Sequence, residues 1–592
     1  MSKPLSKRKH SKTATDVSVG DKKQPKSVLK KNDGQDGKKA KKVKFVEPVE
    51  EYEEVDEKEG GDIPTAQPGK DKATQRREAK ETKKQRKMAK KGGDIIEKAK
   101  SLWEACRPNG MSNEERAPLM TSLVSLLKGN FADILFKHDG SRIVQTVVKY
   151  GDREQRELVA AELAGHFVEL AKNKYGKHIV LKLLQFCVKS RDSIISEFRG
   201  VVGKCVRHTE ASEVIDTIYS DYCKVRQRND MMHEFYGREY VIFAKDHAGR
   251  TLDDIVKAQP DKRDGIVKRL RAAIDSLLAK ERTSIINHSV VHRLILDYVR
   301  HEDAARLKSW LPSVNDALVE MVHTLDGAKA AVLLVALASA KERKALVKAC
   351  KPYLGKIVGD EYAHFLVLAM CAYVDDTVLL EKTFIAELLQ NLQNTIAGKY
   401  SRQTLLFLFA GPVGRYFNKD LVDLLRDASA LAAETSKKDD TVRFTELRNM
   451  VLPALRSHLL PRLGDAIKQP STTALCSEIL CHGDEAFSAE LCKLLKERPS
   501  ILEEEPVRVF LKRLLKRCPE GTMKEIVDSM RPFDRLLASE ACFALTTAAE
   551  AFEEYGSGAN DLQRDNRAIW LISDGDELGE DTLSAAREAA KY

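Results

Sequence analysis

The residues Gly140-Ser141-Arg142-Ile143-Val144-Gln145-Thr146-Val147-Val148 and, 36 positions on, Gly176-Lys177-His178-Ile179-Val180-Leu181-Lys182-Leu183-Leu184 obey one rule: a turn former, two polar positions, two apolar, one facing position, one free, two apolar. At 100° per residue, Ile143, Val144, Val147 and Val148 fall on one side of a helix, while Ser141, Arg142, Gln145 and Lys149 share a stripe on the other. The same register places further openings at Ala211, Ala248, Asn287, Gly327, Ala363 and Ser401. The pairs Asp139-Gly140 and Asp326-Gly327 support the period without any fitting, because 187 residues is five periods of about 37. Tyr236-Gly237-Arg238 looks like another opening but falls out of phase. A unit of this length holds about three short helices and is too small to cover its own apolar face, so neighbours must stack. The reading is an all-α solenoid of three-helix repeats whose polar stripe lines an extended concave surface.

The rest of the chain agrees with an interior of this kind. Its 592 residues are 43% hydrophobic and 32% charged, enough for three or four domain equivalents. The longest uncharged apolar runs, residues 330–340 and 365–374, reach about half of the roughly 20 residues a membrane span needs. The basic start MSKPLSKRKHSK has no apolar block behind it and does not read as a secretory signal. No membrane partner and an intracellular setting are expected. Eleven cysteines are scattered without a CxxC pair or a zinc-ligand spacing, so they read as reduced packing residues.

Charge is unevenly spread. Residues 1–92 carry 27 of the 99 Lys+Arg and 16 of the 89 Asp+Glu, a net of +11, so residues 93–592 sum to −1. The tail, taken as residues 1–95, has too few large apolar side chains to offset the entropy of folding and reads as disordered. Within it Lys38, Lys39, Lys41, Lys42 and Lys44 form a dense cluster of the kind that engages a nuclear import receptor or a phosphate backbone. A merely solubilising tail is the bland alternative. Two further regions follow: a repeat array over 96–435 and a C-terminal helical repeat region over 436–592.

A Ser, an Arg and a Gln on one face can bond a base edge while the guanidinium stacks on a base. Joined to the period, these motifs resemble the Puf (Pumilio) family of RNA-binding repeat proteins, closest to its nucleolar Puf-A branch. The likeness is carried by His138-Asp139-Gly140-Ser141-Arg142-Ile143-Val144-Gln145, Lys172-Asn173-Lys174-Tyr175-Gly176-Lys177-His178, His208-Thr209-Glu210-Ala211-Ser212, Glu234-Phe235-Tyr236-Gly237, His288-Ser289-Val290-Val291-His292, Thr324-Leu325-Asp326-Gly327-Ala328 and Lys399-Tyr400-Ser401-Arg402. It covers roughly 95–435 and extends more weakly beyond. The resemblance implies Pumilio-like repeats, RNA as partner, a nucleolar or nuclear location, pre-ribosomal RNA and pre-60S particles with their assembly factors as the setting, and large-subunit biogenesis as the process.

In that family one unit reads one base with the residues matching Ser141, Arg142 and Gln145, a set implying adenine. The other units depart from this code: the third position is Leu181, Asp216, Asp253, His292, Val332, Leu368 and Leu406 in turn. Leucine and valine cannot bond a base edge, and Glu213 and Asp216 would repel phosphate. What remains is charge. Arg142, Lys149, Lys172, Lys174, Lys177, His178 and Lys182 crowd the first two units, followed by Arg207 and His208. Arg250, His288, His292, Lys329 and Arg402 are the cationic or imidazole candidates farther along. Such a strip neutralises phosphates whatever the base. Two rivals stand beside it: a sequence-specific mRNA repressor of the Puf type, and a helical protein-binding scaffold.

No P-loop, GxSxG, HExxH or Rossmann glycine fingerprint occurs, so an enzyme, a catalytic residue set and a cofactor are not expected. His288 and His292 are spaced as an i, i+4 pair, but no acid stands in register, and they read as face or RNA contacts rather than metal ligands. The acidic run between Asp574 and Asp581 reads as a solvated loop.

Overall fold

The computed structural model describes residues 93–108, 110–278 and 285–530. The chain divides into two compact units, Met1–Arg77 and Glu78–Tyr592, and every described residue belongs to the second. The lysine cluster at residues 38–44, most of the 1–95 tail and the acidic run at 574–581 lie outside the described residues.

Those residues form helices and no strand. We number the helices of the central stack: α1 Gly93–Cys106, α2 His138–Tyr150, α3 Lys177–Phe186, α4 Ala211–Thr217, α5 Ser289–His301, α6 Leu325–Leu337, α7 His364–Tyr373, α8 Lys399–Ala410, α9 Thr473–Cys481 and α10 Glu505–Leu515. Each packs on the next. A full unit places a short helix before the central one and a longer helix after it, as with Phe167–Lys172, α3 and Arg191–Glu197. The apolar side of the founding motif is fully enclosed: Ile143, Val144, Val147 and Val148 are all at 0% exposure.

Two glycines explain why the motif opens as it does. A Cβ on Gly140 would stand 2.1 Å from the carbonyl oxygen of Ile134, and one on Gly327 would stand 2.0 Å from that of Met321. In both, the central helix starts hard against the short helix six residues upstream, and only glycine allows the approach. Where the opening residue is Ser401, its hydroxyl instead donates to the carbonyl of Thr395, again six back, at 2.8 Å.

A second periodic device ties units together. Gly129, Gly165 and Gly200 have φ of 78°, 86° and 81°, recurring at the 36- and 35-residue intervals of the central openings. Their N–H groups donate to Glu162, Glu197 and Glu234 of the following outer helices at 3.0, 2.7 and 2.6 Å. A third device is arginine. Arg191 Nε and Nη2 donate to the carbonyls of Leu184 and Gln185 at the end of α3, and its guanidinium lies 4.7 Å from the Tyr222 ring of the next unit. Arg116 closes the end of α1 by bonding Cys106 and Pro108 while stacking 4.1 Å from Tyr150. Each arginine thus satisfies carbonyls that a helix end leaves open and staples two units with its flat face.

The expected register holds at Gly140, Gly176, Ala211, Gly327, Ala363 and Ser401 and fails between 212 and 326. α5 begins at Ser289, and the backbone turn before it, with His288 N–H on the Ile285 carbonyl, matches Asn173 N–H on Leu170 and His208 N–H on Cys205. The opening equivalent to Gly140 is therefore Val291, one helical turn after the expected Asn287, which restores a 36-residue step to Gly327. The expected opening at Ala248 is also corrected. Residues 248–251 form no helix, and α4 packs directly on α5. The intervening chain, including Arg238–Ile242, Leu252–Ala258 and Arg263–Leu278, supplies no helix to the central stack. Apolar periodicity could not reveal this, because the outer helix Arg263–Leu278 buries its own stripe of Ile266, Val267, Leu270 and Ile274.

The ten described cysteines are free. No helix among the described residues is long and apolar enough to cross a membrane.

Candidate nucleic-acid interface

The stripe of α2 was expected to present polar atoms outward. Ser141 is instead buried at 1% exposure and donates to the carbonyl of Tyr175 at 2.8 Å. Gln145 Nε2 in turn donates to Ser141 Oγ at 3.0 Å. Ser141 is therefore engaged in joining α2 to α3, and half-buried Gln145 bonds to it within α2. The expected outward role of Ser141 is corrected by the packing.

Arg142 of α2 and Lys177 and His178 of α3 do come together, since Lys177 and Arg142 both bear electrostatically on His178. They do not form an uninterrupted cationic strip. Lys177 Nζ lies 2.8 Å from Glu210 and 2.6 Å from Glu213, both contributed by the following unit. Burial works against the charge of Lys177, but the two carboxylates outweigh it and raise its pKa. Burial lowers the pKa of His178, and Lys177 and Arg142 lower it further, so the imidazole is neutral near pH 7. Two cations thus face two carboxylates. The Glu213 that the sequence suggested would repel phosphate is in fact a partner of the lysine meant to bind it.

Among the candidates of the first two units, the cations that remain exposed are Lys149, Lys172 and Lys174. Two of these have an aromatic neighbour: Lys149 Nζ is 5.1 Å from the Tyr150 ring and Lys174 Nζ 6.0 Å from the Tyr175 ring. The same pairing recurs at Lys399 and Tyr400, 4.8 Å apart, with His364 stacked on that tyrosine at 5.1 Å. All three tyrosines are half-buried. A ring with an ammonium beside it offers stacking and phosphate contact together, without reading base edges. The tyrosines were not singled out from the sequence, although the three Lys-Tyr dipeptides were legible in it.

Of the other candidates, Arg207, His208 and Arg402 take structural places. Arg207 donates to the Gly203 carbonyl, and His208 Nδ1 accepts the N–H groups of Glu210 and Ala211 at 3.2 and 3.4 Å to start α4. Lys182 is half-buried on α3. Arg250 is exposed in a turn off the central stack, its carbonyl bonded to His233. Arg402 donates to the carbonyls of Ile396 and Ala397. Lys329 lines a cavity of about 580 Å³ together with Asp420, Asp423 and Asp427.

His288 and His292 do not act as a pair. His288 precedes α5 and sits 3.3 Å from Asp216. His292 is at 0% exposure, with Nε2 2.6 Å from the Ile286 carbonyl and Nδ1 2.7 Å from Thr324 Oγ1. A carbonyl only accepts, so Nε2 carries the proton and Nδ1 accepts the threonine hydroxyl. Burial, with His323 adding to it, lowers its pKa to about 3. It is a packed neutral side chain, which corrects its expected RNA contact. Among the described residues no group of three or more His, Cys, Asp or Glu is placed to hold a metal.

Stacked three-helix units with a base-reading serine turned into an interunit tie define a helical-repeat solenoid. Residues 397–518 match the family described as CPL (NUC119) domain, a match that begins within the last expected unit of the array. The chain is 34% identical over 419 residues to Pumilio homology domain family member 6 of Schizosaccharomyces pombe, covering 70% of this chain and 65% of that protein. It thus spans just under two thirds of that relative. The protein of the same name from Saccharomyces cerevisiae is 31% identical over 454 residues, covering 74% of this chain and 69% of the relative. The crystal structure of human Puf-A matches with a TM-score of 0.68 and 28% identity, over 81% of this chain and 96% of that one. The chain belongs to the Pumilio homology family.

Proposed function

We propose that this protein binds RNA through the phosphate backbone with little base discrimination, and that it serves nucleolar pre-rRNA processing and large-subunit assembly. The observation that carries the first half is the Ser141–Tyr175 bond: the unit whose residues best fit a base reader has turned its hydroxyl into an interunit tie. Exposed Lys149, Lys172 and Lys174, the last beside half-buried Tyr175, supply charge and stacking, neither of which depends on base identity. Support also comes from human Puf-A, which has been solved in complex with DNA at 28% identity to this chain. The nucleolar half rests on the likeness to the Puf-A branch. In that reading pre-60S particles and their assembly factors are the partners, and the lysines at 38–44 engage an import receptor.

The deciding experiment is selection from randomised RNA with the purified full chain, together with binding across a salt series. The expected result is a flat base preference with affinity falling steeply as salt rises. A sharp motif of several bases would overturn it in favour of an mRNA-specific reader. Crosslinking in cells tests the second half, with enrichment of precursor ribosomal RNA as the expected result and enrichment of messenger 3′ ends as the contrary one.

A further inference from the structure

The segment between α4 and α5 that abandons the central stack carries an unusual surface. Val241, Ile242 and Phe243 are consecutive and exposed at 37%, 72% and 57%, although three adjacent apolar residues in a folded chain normally find cover. Val241 and Ile242 end the short helix Arg238–Ile242 and Phe243 follows it; Val241 lines a cavity of about 370 Å³ together with Ile195, Val202 and Met231.

Three cations and two half-buried carboxylates line this cavity. Its two carboxylates are committed: Asp230 accepts the Gly249 N–H at 2.7 Å, and Glu234 accepts those of Gly200 and Gly203 at 2.6 and 3.2 Å. On the adjoining segment Glu239 faces Arg269 at 3.8 Å, which leaves Asp246 as its one acid without such a partner. Arg199, Arg226 and Lys245, all exposed and all lining the cavity, form no ion pair among the described residues. The site therefore joins uncovered apolar side chains to three exposed cations that have no ion-pair partner among the described residues.

We propose that this cleft is a docking site for an acidic amphipathic peptide segment of a partner protein. The apolar face of that segment covers Val241, Ile242 and Phe243, and its carboxylates meet Arg199, Arg226 and Lys245. The three exposed, unpaired cations favour an acidic partner, and the adjacent Val241 and Ile242 favour a peptide, since an RNA backbone gains nothing by burying aliphatic side chains. The site is distinct from the lysine–tyrosine pairs of α2 and α3, so docking and RNA binding are independent.

The test uses the full chain and a fluorescent peptide with Glu and Asp along one helical face and Leu and Phe along the other. Poly-glutamate and polyuridine serve as controls. Ile242→Ser with Phe243→Ser is expected to weaken the peptide more than about tenfold and to leave polyuridine binding unchanged. Arg199→Glu with Arg226→Glu is expected to weaken it similarly. Both pairs are exposed, and unchanged thermal unfolding confirms that the chain still folds. Peptide binding no tighter than poly-glutamate, or indifferent to the Ile242 and Phe243 changes, overturns the proposal. Loss of polyuridine binding in those same variants overturns it in favour of a nucleic-acid site. Polyuridine binding by the unmodified chain is read separately, so failure of the RNA reading shows in a different arm.

Discussion

Asp216 Oδ1 accepts the backbone N–H of Ser289 at 2.6 Å, joining α4 to the first turn of α5 across 73 residues. The bond exists because the chain between them leaves the central stack, so two helices far apart in sequence become neighbours. Asp216 does for α5 what an N-cap residue ordinarily does from the preceding position, and its other oxygen lies 3.3 Å from His288. Asp216→Ala is expected to lower stability by about 1 kcal/mol, while Asp216→Asn, which keeps the acceptor, should lose less. Denaturant midpoints of the two variants check the order.

The close approach at Gly140 and Gly327 leads to a sharper stability effect. An alanine at either place would put a Cβ about 2 Å from a carbonyl oxygen, well inside contact, and the two helices must separate to admit it. Gly327→Ala is expected to cost on the order of 3 kcal/mol. Gly521, whose added Cβ would meet nothing within 4 Å, is the control, where alanine in the helix Glu520–Ser529 should be neutral or mildly stabilising. Thermal unfolding of the two variants distinguishes a packing clash from a general intolerance of substitution.

For RNA binding the prediction turns on which lysines are already paired. Lys177 is held by Glu210 and Glu213, whereas Lys149 and Lys172 are exposed. Lys149→Ala and Lys172→Ala should each reduce the slope of log affinity against log salt by about 1, and Lys177→Ala by clearly less. Glu210→Gln with Glu213→Gln releases Lys177 and removes two repelling charges, so affinity for generic RNA should rise. Polyuridine titrations at several salt concentrations give all of these slopes.

A pH dependence is built in where Asp375, just after α7, meets the turn that follows the outer helix Lys419–Ala432. Burial would raise the Asp375 carboxyl, but the Lys437 N–H, the Ser436 hydroxyl and fully buried Arg443 outweigh it and hold its pKa at about 2. The unfolded value is about 3.9. A depressed carboxylate stabilises the fold fully above that value, and the contribution is lost as pH falls through the interval from about 4 to about 2. Asp375→Asn should therefore unfold more readily at neutral pH and show a flatter loss of stability across that acid window. Arg443→Met, which breaks the same cluster, should cost about 3 kcal/mol at neutral pH.

The repeat architecture was readable because its cause is local. Ile143, Val144, Val147 and Val148 must face away from the stripe in any helix, and a unit of some 36 residues cannot bury them alone. The register failed at Asn287 and Ala248 for a reason equally physical. Arg263–Leu278 is an amphipathic helix of the same period as the central ones, and nothing in its own residues says that it lies in the outer layer. The arginines that close helix ends at Arg116 and Arg191 were legible only as charge, since their carbonyl partners belong to other helices.

The sequence by itself determined an all-helical repeat chain, the positions of its glycine-opened helices and the exclusion of the common catalytic fingerprints, all of which follow from periodicity and residue chemistry within a few turns. Only the tertiary structure decided which polar atoms face outward. Ser141 lies on a helix whose register was read correctly and His292 on one whose opening was misplaced by a turn, yet in both the neighbouring unit supplies a partner at hydrogen-bond distance, Tyr175 and Thr324, and Glu210 and Glu213 claim Lys177. A side chain's availability depends on what packs against it, and in a stacked repeat that neighbour lies some 30 residues away.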